Sequence, residues 1–228
     1  MSEQLTVKQV SRDLIKTARE RAADPRKIWG IPWGFPGLDT LTGGIHQEEM
    51  TVMMARPGVG KTQMMGQVGL SVAEWLKTPE GMRRHPNQVV KLVLCEMSAH
   101  SFQERIVCYK AGVGSRKMRE GMLTKEDLRK FEEAAQDIAD LPVEYLDTPT
   151  SLEDTLTWLS SGSKPAWWAC DYIGIHPLSQ RSDANQYVNV SNLARGFPGS
   201  MQECGSWTGP GPDEPGVREA RGPTSTPV

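Results

Sequence analysis

Near the start of the chain Val7, Val10, Leu14 and Ala18 recur at three- and four-residue steps, with Lys, Arg, Asp and Glu between them. That period predicts an amphipathic helix over about residues 2–23. Asp24-Pro25 ends it, because a proline pushes the preceding residue out of the helical region. The apolar stripe needs cover, from its own domain or from a neighbouring subunit. Further on, short apolar runs alternate with helical stretches. MTVMM (Met50–Met54) fits a buried parallel strand, and QVVKLVLC (Gln88–Cys95), VEYL (Val143–Leu146) and AWWAC (Ala166–Cys170) fit three more. Helices are predicted from Lys61 to Leu76, from a Ser98 cap to about Lys110, from Thr124 to about Ala139 and from Ser151 to about Leu159. Thr124 with Asp127, and Ser151 with Asp154, have capping-box spacing. The Gly- and Pro-rich stretch from Trp29 to Gly44 reads as a structured loop with a short helix near Leu38–Leu41. The alternation predicts an α/β fold, a mostly parallel sheet with helices on both faces. Trp167 and Trp168 are bulky for a buried central strand, a local conflict with that plan.

Composition narrows the class only slightly. The chain has 228 residues, 38% of them apolar and 24% charged, with a net charge of −2. Overall charge therefore gives no case for nucleic acid or an anionic membrane, and any such contact would be local, in loops or the bore of a ring. No apolar run approaches a membrane span, and the start of the chain lacks a secretory h-region, so the expected compartment is cytoplasm. Cys95, Cys108, Cys170 and Cys204 are far apart in sequence and read as reduced, mostly buried small hydrophobes. His46, His85, His100 and His176 are scattered, and the basic pairs Arg83-Arg84 and Arg116-Lys117 read as solvated.

The strongest chemical signal is Ala55-Arg56-Pro57-Gly58-Val59-Gly60-Lys61-Thr62, between a strand and a helix. The general pattern is G-x-x-x-x-G-K-[ST], with Ala55 in the first Gly place. A turn leaving a strand and entering a helix exposes successive backbone N–H groups as an anion-binding nest. Gly58 and Gly60 allow close backbone approach, and Arg56, Pro57, Val59 and Gln63 complete the loop. Lys61 is expected at the β- and γ-phosphates of ATP, and the Thr62 hydroxyl on Mg²⁺. Asp171, after the apolar run AWWAC, stands where a P-loop fold places the carboxylate that steers Mg²⁺. Glu96 ends the second strand, placed here beside the first. A carboxylate there can orient the attacking water as general base; a solvated strand-end Glu is the alternative. Arg181, Asn185 and Tyr187 follow the Asp171 strand and could touch single-stranded nucleic acid in a ring, or form an ordinary loop.

From about Val7 to Ala194 the chain resembles the C-terminal motor domain of DnaB-type replicative helicases, phage versions included. The segments that carry the resemblance are IPWGFPGLDTLTGG (31–44), MARPGVGKT (54–62), LCEMS (94–98), KMREGMLTKED (117–127) and Asp171-Tyr172. The resemblance implies a RecA-like P-loop fold, a homo-hexameric ring and ATP-driven movement along single-stranded DNA. It implies that Lys61 and Thr62 meet phosphate and Mg²⁺, that Glu96 is the general base and that Asp171 is the Mg²⁺ carboxylate. It also implies that the N-terminal helix is a linker docking on the adjacent subunit.

The resemblance stops near Arg195. Gly196–Val228 contains no Leu or Ile, and Gly and Pro crowd together in GPGPDEPG (209–216), a composition of disordered segments. No apolar strand is expected there, and neither Arg218 nor Arg221 has an arginine-finger context. The expected organisation is a linker helix (1–25), an incomplete RecA-like ATPase domain (26–195) and an irregular tail (196–228). On this reading the Asp171 strand is left as an edge, its tryptophans poorly covered, and ATP turnover is weak. A nucleotide-binding protein without motor activity, or a RecA- or KaiC-like ATPase with another task, are the alternatives.

Overall fold

The computed structural model describes residues 6–171, apart from 26, 48 and 150, and the backbone of residues 201–206. In chain order the elements are α1 (Val7–Ala23), α2 (Pro36–Thr42), β1 (Thr51–Ala55), α3 (Lys61–Leu76), α4 (Pro79–Arg84), β2 (Val89–Leu94), α5 (Ala99–Ala111), α6 (Ser115–Arg119), α7 (Lys125–Ala139), β3 (Val143–Asp147), α8 (Leu152–Ser160), β4 (Pro165–Asp171) and β5 (Met201–Ser206). The strands form one five-stranded sheet in the order β1-β5-β4-β2-β3, and every pairing is parallel. Parallel pairing puts all the carboxyl ends on one edge, with crossover helices on the faces.

The predicted helix starts rest on real caps. Ser98 and Ser151 accept hydrogen bonds from the amides of Ser101 and Asp154, and Thr124 forms a full capping box with Asp127. The first helix is capped by Thr6 with Gln9 and begins at Val7, its predicted residues 2–5 lying outside the described ones. Two short helices, α4 and α6, were not expected: at six and five residues they are too short to show an apolar period. The 31–44 loop is held by Asp39, whose buried carboxylate accepts from the Trp33 amide at 2.7 Å, while the Trp33 indole donates to Thr42 at 3.0 Å. Its ends meet as an antiparallel bridge between Ile31 and Ile45.

Side-chain alternation along the inner strands builds two cores. Val90, Leu92, Leu94, Trp167 and Ala169 share a cluster with Met65, Val68 and Val72 of α3 and Phe102 and Ile106 of α5. Gly66 lets α3 and α5 close on each other, because a methyl group there would collide with Ile106. Val93, Trp168 and Cys170 turn the other way and pack with Leu159 of α8. The conflict seen at Trp167 and Trp168 thus resolves: consecutive strand residues face opposite cores, and the two rings are 1% and 3% exposed.

Three expectations need correction. A strand does follow the Asp171 strand: residues 201–206 lie between β4 and β1 and pair with both. β4 is therefore interior, and its tryptophans are covered. The backbone ladder, which any non-proline residue can extend, makes this strand without the Leu and Ile the sequence reading required; residues 196–200 and 207–228 lie outside the described ones. Second, β2 is not beside β1, since β4 and β5 intervene. Third, Met50–Met54 is not a buried strand. β1 borders the described sheet, and Val52 and Met54 are 42% and 68% exposed. No residue of α1 is buried either, so its stripe finds no cover within the described residues. Among those residues no helix is long and apolar enough to cross a membrane.

One buried charge ties α8 to the sheet. Lys91 of β2 is fully buried. Its ammonium donates to the carbonyls of Trp158 at 2.9 Å and Ser161 at 2.7 Å, at the end of α8, and lies 3.7 Å from the Glu144 carboxylate. A cation there meets carbonyls that the helix leaves unpaired and the negative end of its dipole. Lys91→Met, which keeps the stem but removes the donors, is expected to lower unfolding free energy by about 2–4 kcal/mol, read from urea unfolding. An unchanged midpoint would mean that water satisfies those carbonyls.

Candidate active site at the carboxyl edge of the sheet

The loop after β1 turns through Gly58 and Gly60, at φ of 79° and 108°, a region that other residues enter only with strain. A Cβ at either position would meet nothing within 4 Å. The glycines are therefore needed for backbone shape, and the concavity beside them is open. α3 starts directly on Gly60, with Met64 N bonding Gly60 O at 2.9 Å and no side-chain cap at Gly60. Lys61 folds back over the loop and donates to the carbonyls of Ala55 at 3.1 Å and Arg56 at 3.4 Å. Lys61, Thr62 and Gln63 are half-buried, and residues 56–60 are exposed.

β4 ends on Asp171, which is 1% exposed. Among the described residues no donor reaches either carboxylate oxygen with full hydrogen-bonding geometry. Burial pushes its pKa above the ordinary carboxylate range, and the nearby Glu96 carboxylate adds to the rise. The Thr62 hydroxyl, Lys61 and Arg105 of α5 oppose it. Thr62, Lys61 and Glu96 therefore all lie near Asp171, although they come from the start of α3 and from the segment after β2. A buried carboxylate short of donors, next to a hydroxyl and a loop of open backbone amides, is a fitting donor set for a hard divalent cation carrying phosphates.

Glu96 is exposed and lies just past the end of β2. Its segment is pinned on three sides. Cys95 N bonds Asp171 O at 2.9 Å, and Leu94 O accepts from Thr148 N at 3.1 Å. Ala99 N donates to the Asp147 carboxylate at 3.0 Å. Asp147 and Arg105 escaped the sequence reading. Asp147 does end an apolar run in front of the turn residues Thr148-Pro149, a signal that could have marked it, whereas nothing local marks Arg105. Thr148 holds a φ of 45°, rare for a β-branched residue, at this same edge. The structure also brings Cys95 and Cys170 together, 75 residues apart in sequence, with their sulfurs at 3.8 Å. Arg181, Asn185 and Tyr187 lie outside the described residues.

The parallel sheet, its strand order and the P-loop at the carboxyl end of β1 define a RecA-like P-loop NTPase domain. The model of the DnaB-like helicase C-terminal domain matches residues 30–203. The chain belongs to that family. It is 29% identical over 181 residues to the replicative DNA helicase DnaB of Geobacillus stearothermophilus, a match over 78% of this chain and 38% of that protein. Against the replicative DNA helicase DnaC of Bacillus subtilis it is 29% identical over 187 residues, covering 80% of this chain and again 38% of the relative. The chain thus spans well under half the length of these relatives. A solved ATPase domain superposes with a TM-score of 0.69 at 17% identity, over 86% of this chain and 70% of that one. A DnaB-like replicative helicase, solved in a study of its interactions with primase, gives 0.67 at 16%, over 89% and 49%. At these identities the structures speak for the fold.

Asp171 gives a pH-dependent test. Its folded pKa is raised, so the protonated side chain favours the fold below the unfolded value of about 3.9. That contribution is lost as pH rises through the folded pKa. Asp171→Asn is therefore expected to raise the thermal stability of the nucleotide-free protein at neutral pH by about 1–2 kcal/mol, with the gain vanishing near pH 4. A variant less stable than the unmodified protein at pH 8 would show that the carboxylate is well satisfied.

Proposed function

We propose that this domain binds ATP with Mg²⁺ at the P-loop and hydrolyses it as the motor module of a replicative DNA helicase, coupling turnover to movement along single-stranded DNA in a homo-hexameric ring. The observation that carries this reading is the meeting of Lys61, Thr62, Asp171 and Glu96 at one sheet edge, around a buried carboxylate that lacks a full hydrogen bond among the described residues. The helicase, DNA and ring parts rest on membership of the family and on what its relatives are called. Such a motor works in the cytoplasm.

In this reading the amides between Arg56 and Gln63 hold the phosphate chain. Lys61 leaves the Ala55 and Arg56 carbonyls and turns to the β- and γ-phosphates. Thr62 and Asp171 are the residues that would hold Mg²⁺, which when bound offsets charge on the phosphate oxygens. Glu96 accepts a proton from the attacking water; its exposed carboxylate is reachable by solvent, and its pinned segment fixes its aim. The apolar stripe of α1, with Val7 84% and Leu14 63% exposed, packs on a neighbouring subunit of the ring.

Two experiments test this. Lys61→Ala is expected to abolish hydrolysis while leaving residual binding through the backbone, and Glu96→Gln to bind ATP near normally with turnover reduced at least about a hundredfold. ATPase assays with and without single-stranded DNA, beside calorimetry, read both. Turnover by Glu96→Gln at the unmodified rate removes the general-base role, and turnover indifferent to DNA favours an ATPase with another task. Deletion of residues 1–24 is expected to shift sedimentation from a ring towards smaller species while thermal stability holds, because α1 buries nothing on its own domain. An oligomer distribution that ignores the deletion would refute docking through α1.

A further inference from the structure

We propose that Cys95 and Cys170 form an oxidisable thiol pair, a modification site for peroxides, whose bridging displaces the Glu96 segment. Cys170 lies in β4, paired on both sides and 3% exposed, so its backbone is fixed. Cys95 is half-buried and sits one residue past the end of β2, in a bend whose amide is held by Asp171 O at 2.9 Å, so a bridge there must pull against that bond. Val93 is the register partner of Cys170, and Cys95, two residues on, shares its face, so the thiols meet on a diagonal across two neighbouring strands. Their sulfurs are 3.8 Å apart, close enough to react but well beyond the bonded separation of about 2.05 Å. The pair flanks the site closely, as Cys95 precedes Glu96 and Cys170 precedes Asp171.

The chemistry balances with a peroxide as oxidant. Hydrogen peroxide reaches the more accessible Cys95. An S–O bond forms, the O–O bond breaks and one water leaves, giving the sulfenic acid. The Cys170 thiol sulfur then attacks Cys95 sulfur. The S–S bond forms, the S–O bond breaks, and the thiol proton leaves with the hydroxide as a second water. Two thiols have lost two electrons and the peroxide has gained them. Because β4 cannot move, closing the sulfurs draws Cys95 towards it and carries Glu96 along. A catalytic group misplaced by about 1 Å can lose a hundredfold in rate. In a reducing compartment such a bond is transient, which suits a signal better than a permanent brace.

Bridge formation stands by itself; only its effect on turnover rests on the general-base reading of Glu96. The test treats the full chain with hydrogen peroxide under native conditions, blocks remaining thiols and maps disulfides by mass spectrometry. Amide exchange of residues 95–98 and ATP turnover are then followed. A Cys95–Cys170 link is expected, with exchange in 95–98 changed at least severalfold and turnover lowered about tenfold or more at little change in KM. Dithiothreitol should reverse both changes, and Cys95→Ser or Cys170→Ser should abolish the response. A different partner, including Cys108 or Cys204, or no link under excess peroxide overturns the proposal. So does a complete link that leaves amide exchange in 95–98 unchanged. If exchange changes on bridging while Glu96→Gln hydrolyses ATP normally, the thiol site stands and the general-base reading falls.

Discussion

The parallel pairing of β2 with β4 is the constraint on which this domain turns. Its register runs from Val89 with Pro165 to Leu94 with Asp171, so the end of one strand fixes the end of the other. β4 is also paired to β5, which closes both of its edges and buries Asp171 almost completely. Interior position is what makes that carboxylate costly, and the cost gives it chemical value. In water an aspartate is content with solvent, whereas here it waits beside a hydroxyl, a lysine and a second carboxylate. This edge of the sheet is thus maintained against the local preference of one of its own residues, as the candidate site there would require.

Around that pairing, polar side chains set the positions that apolar packing leaves loose. Lys91 locates the end of α8 by its carbonyls, Asp39 folds the 31–44 loop on the Trp33 amide, and Asp147 receives the first amide of α5. Each is a charged group spent on backbone geometry. A hydrogen bond adds a directional constraint to the close packing of the two cores. The segment bearing Glu96 is placed this way, tied to β4, to the turn after β3 and to β3 itself. The same closeness puts two sulfurs within reach of each other, so a feature that orders the site also exposes it to oxidation.

Membership of the DnaB-like helicase C-terminal domain family frames what the exposed surfaces are for. A helix with an apolar stripe that buries no residue, as α1 does, gains no cover from the described residues. Its helical form is supported locally by the Thr6–Gln9 capping box and Arg21 in the last turn, which keeps it ready without tertiary contacts. A ring of like subunits would supply the missing surface, and the motor reading and the α1 stripe support one another on that point.

Much of this was legible in the sequence because it depends on local rules. Serines and threonines three residues ahead of a good partner start helices, and Gly58 and Gly60 make the tight turn that leads from a strand into the helix beginning at Lys61. Short apolar runs between such helices require a parallel sheet, which sends Asp171 and Glu96 to its carboxyl edge. What the sequence could not determine was which strand neighbours which, because pairing order depends on contacts between distant segments. Hence the sequence pattern sets β2 beside β1, and residues 201–206, which hold no branched apolar side chain, read as irregular although two neighbouring ladders favour a strand. The role of Lys91 is likewise invisible in the sequence, since only the packing of α8 on the sheet brings carbonyls to its buried charge. The residues themselves determined which chemistry was present; tertiary structure decided which groups face one another, since burial and proximity across 75 residues of chain, as for Cys95 and Cys170, exist only after folding.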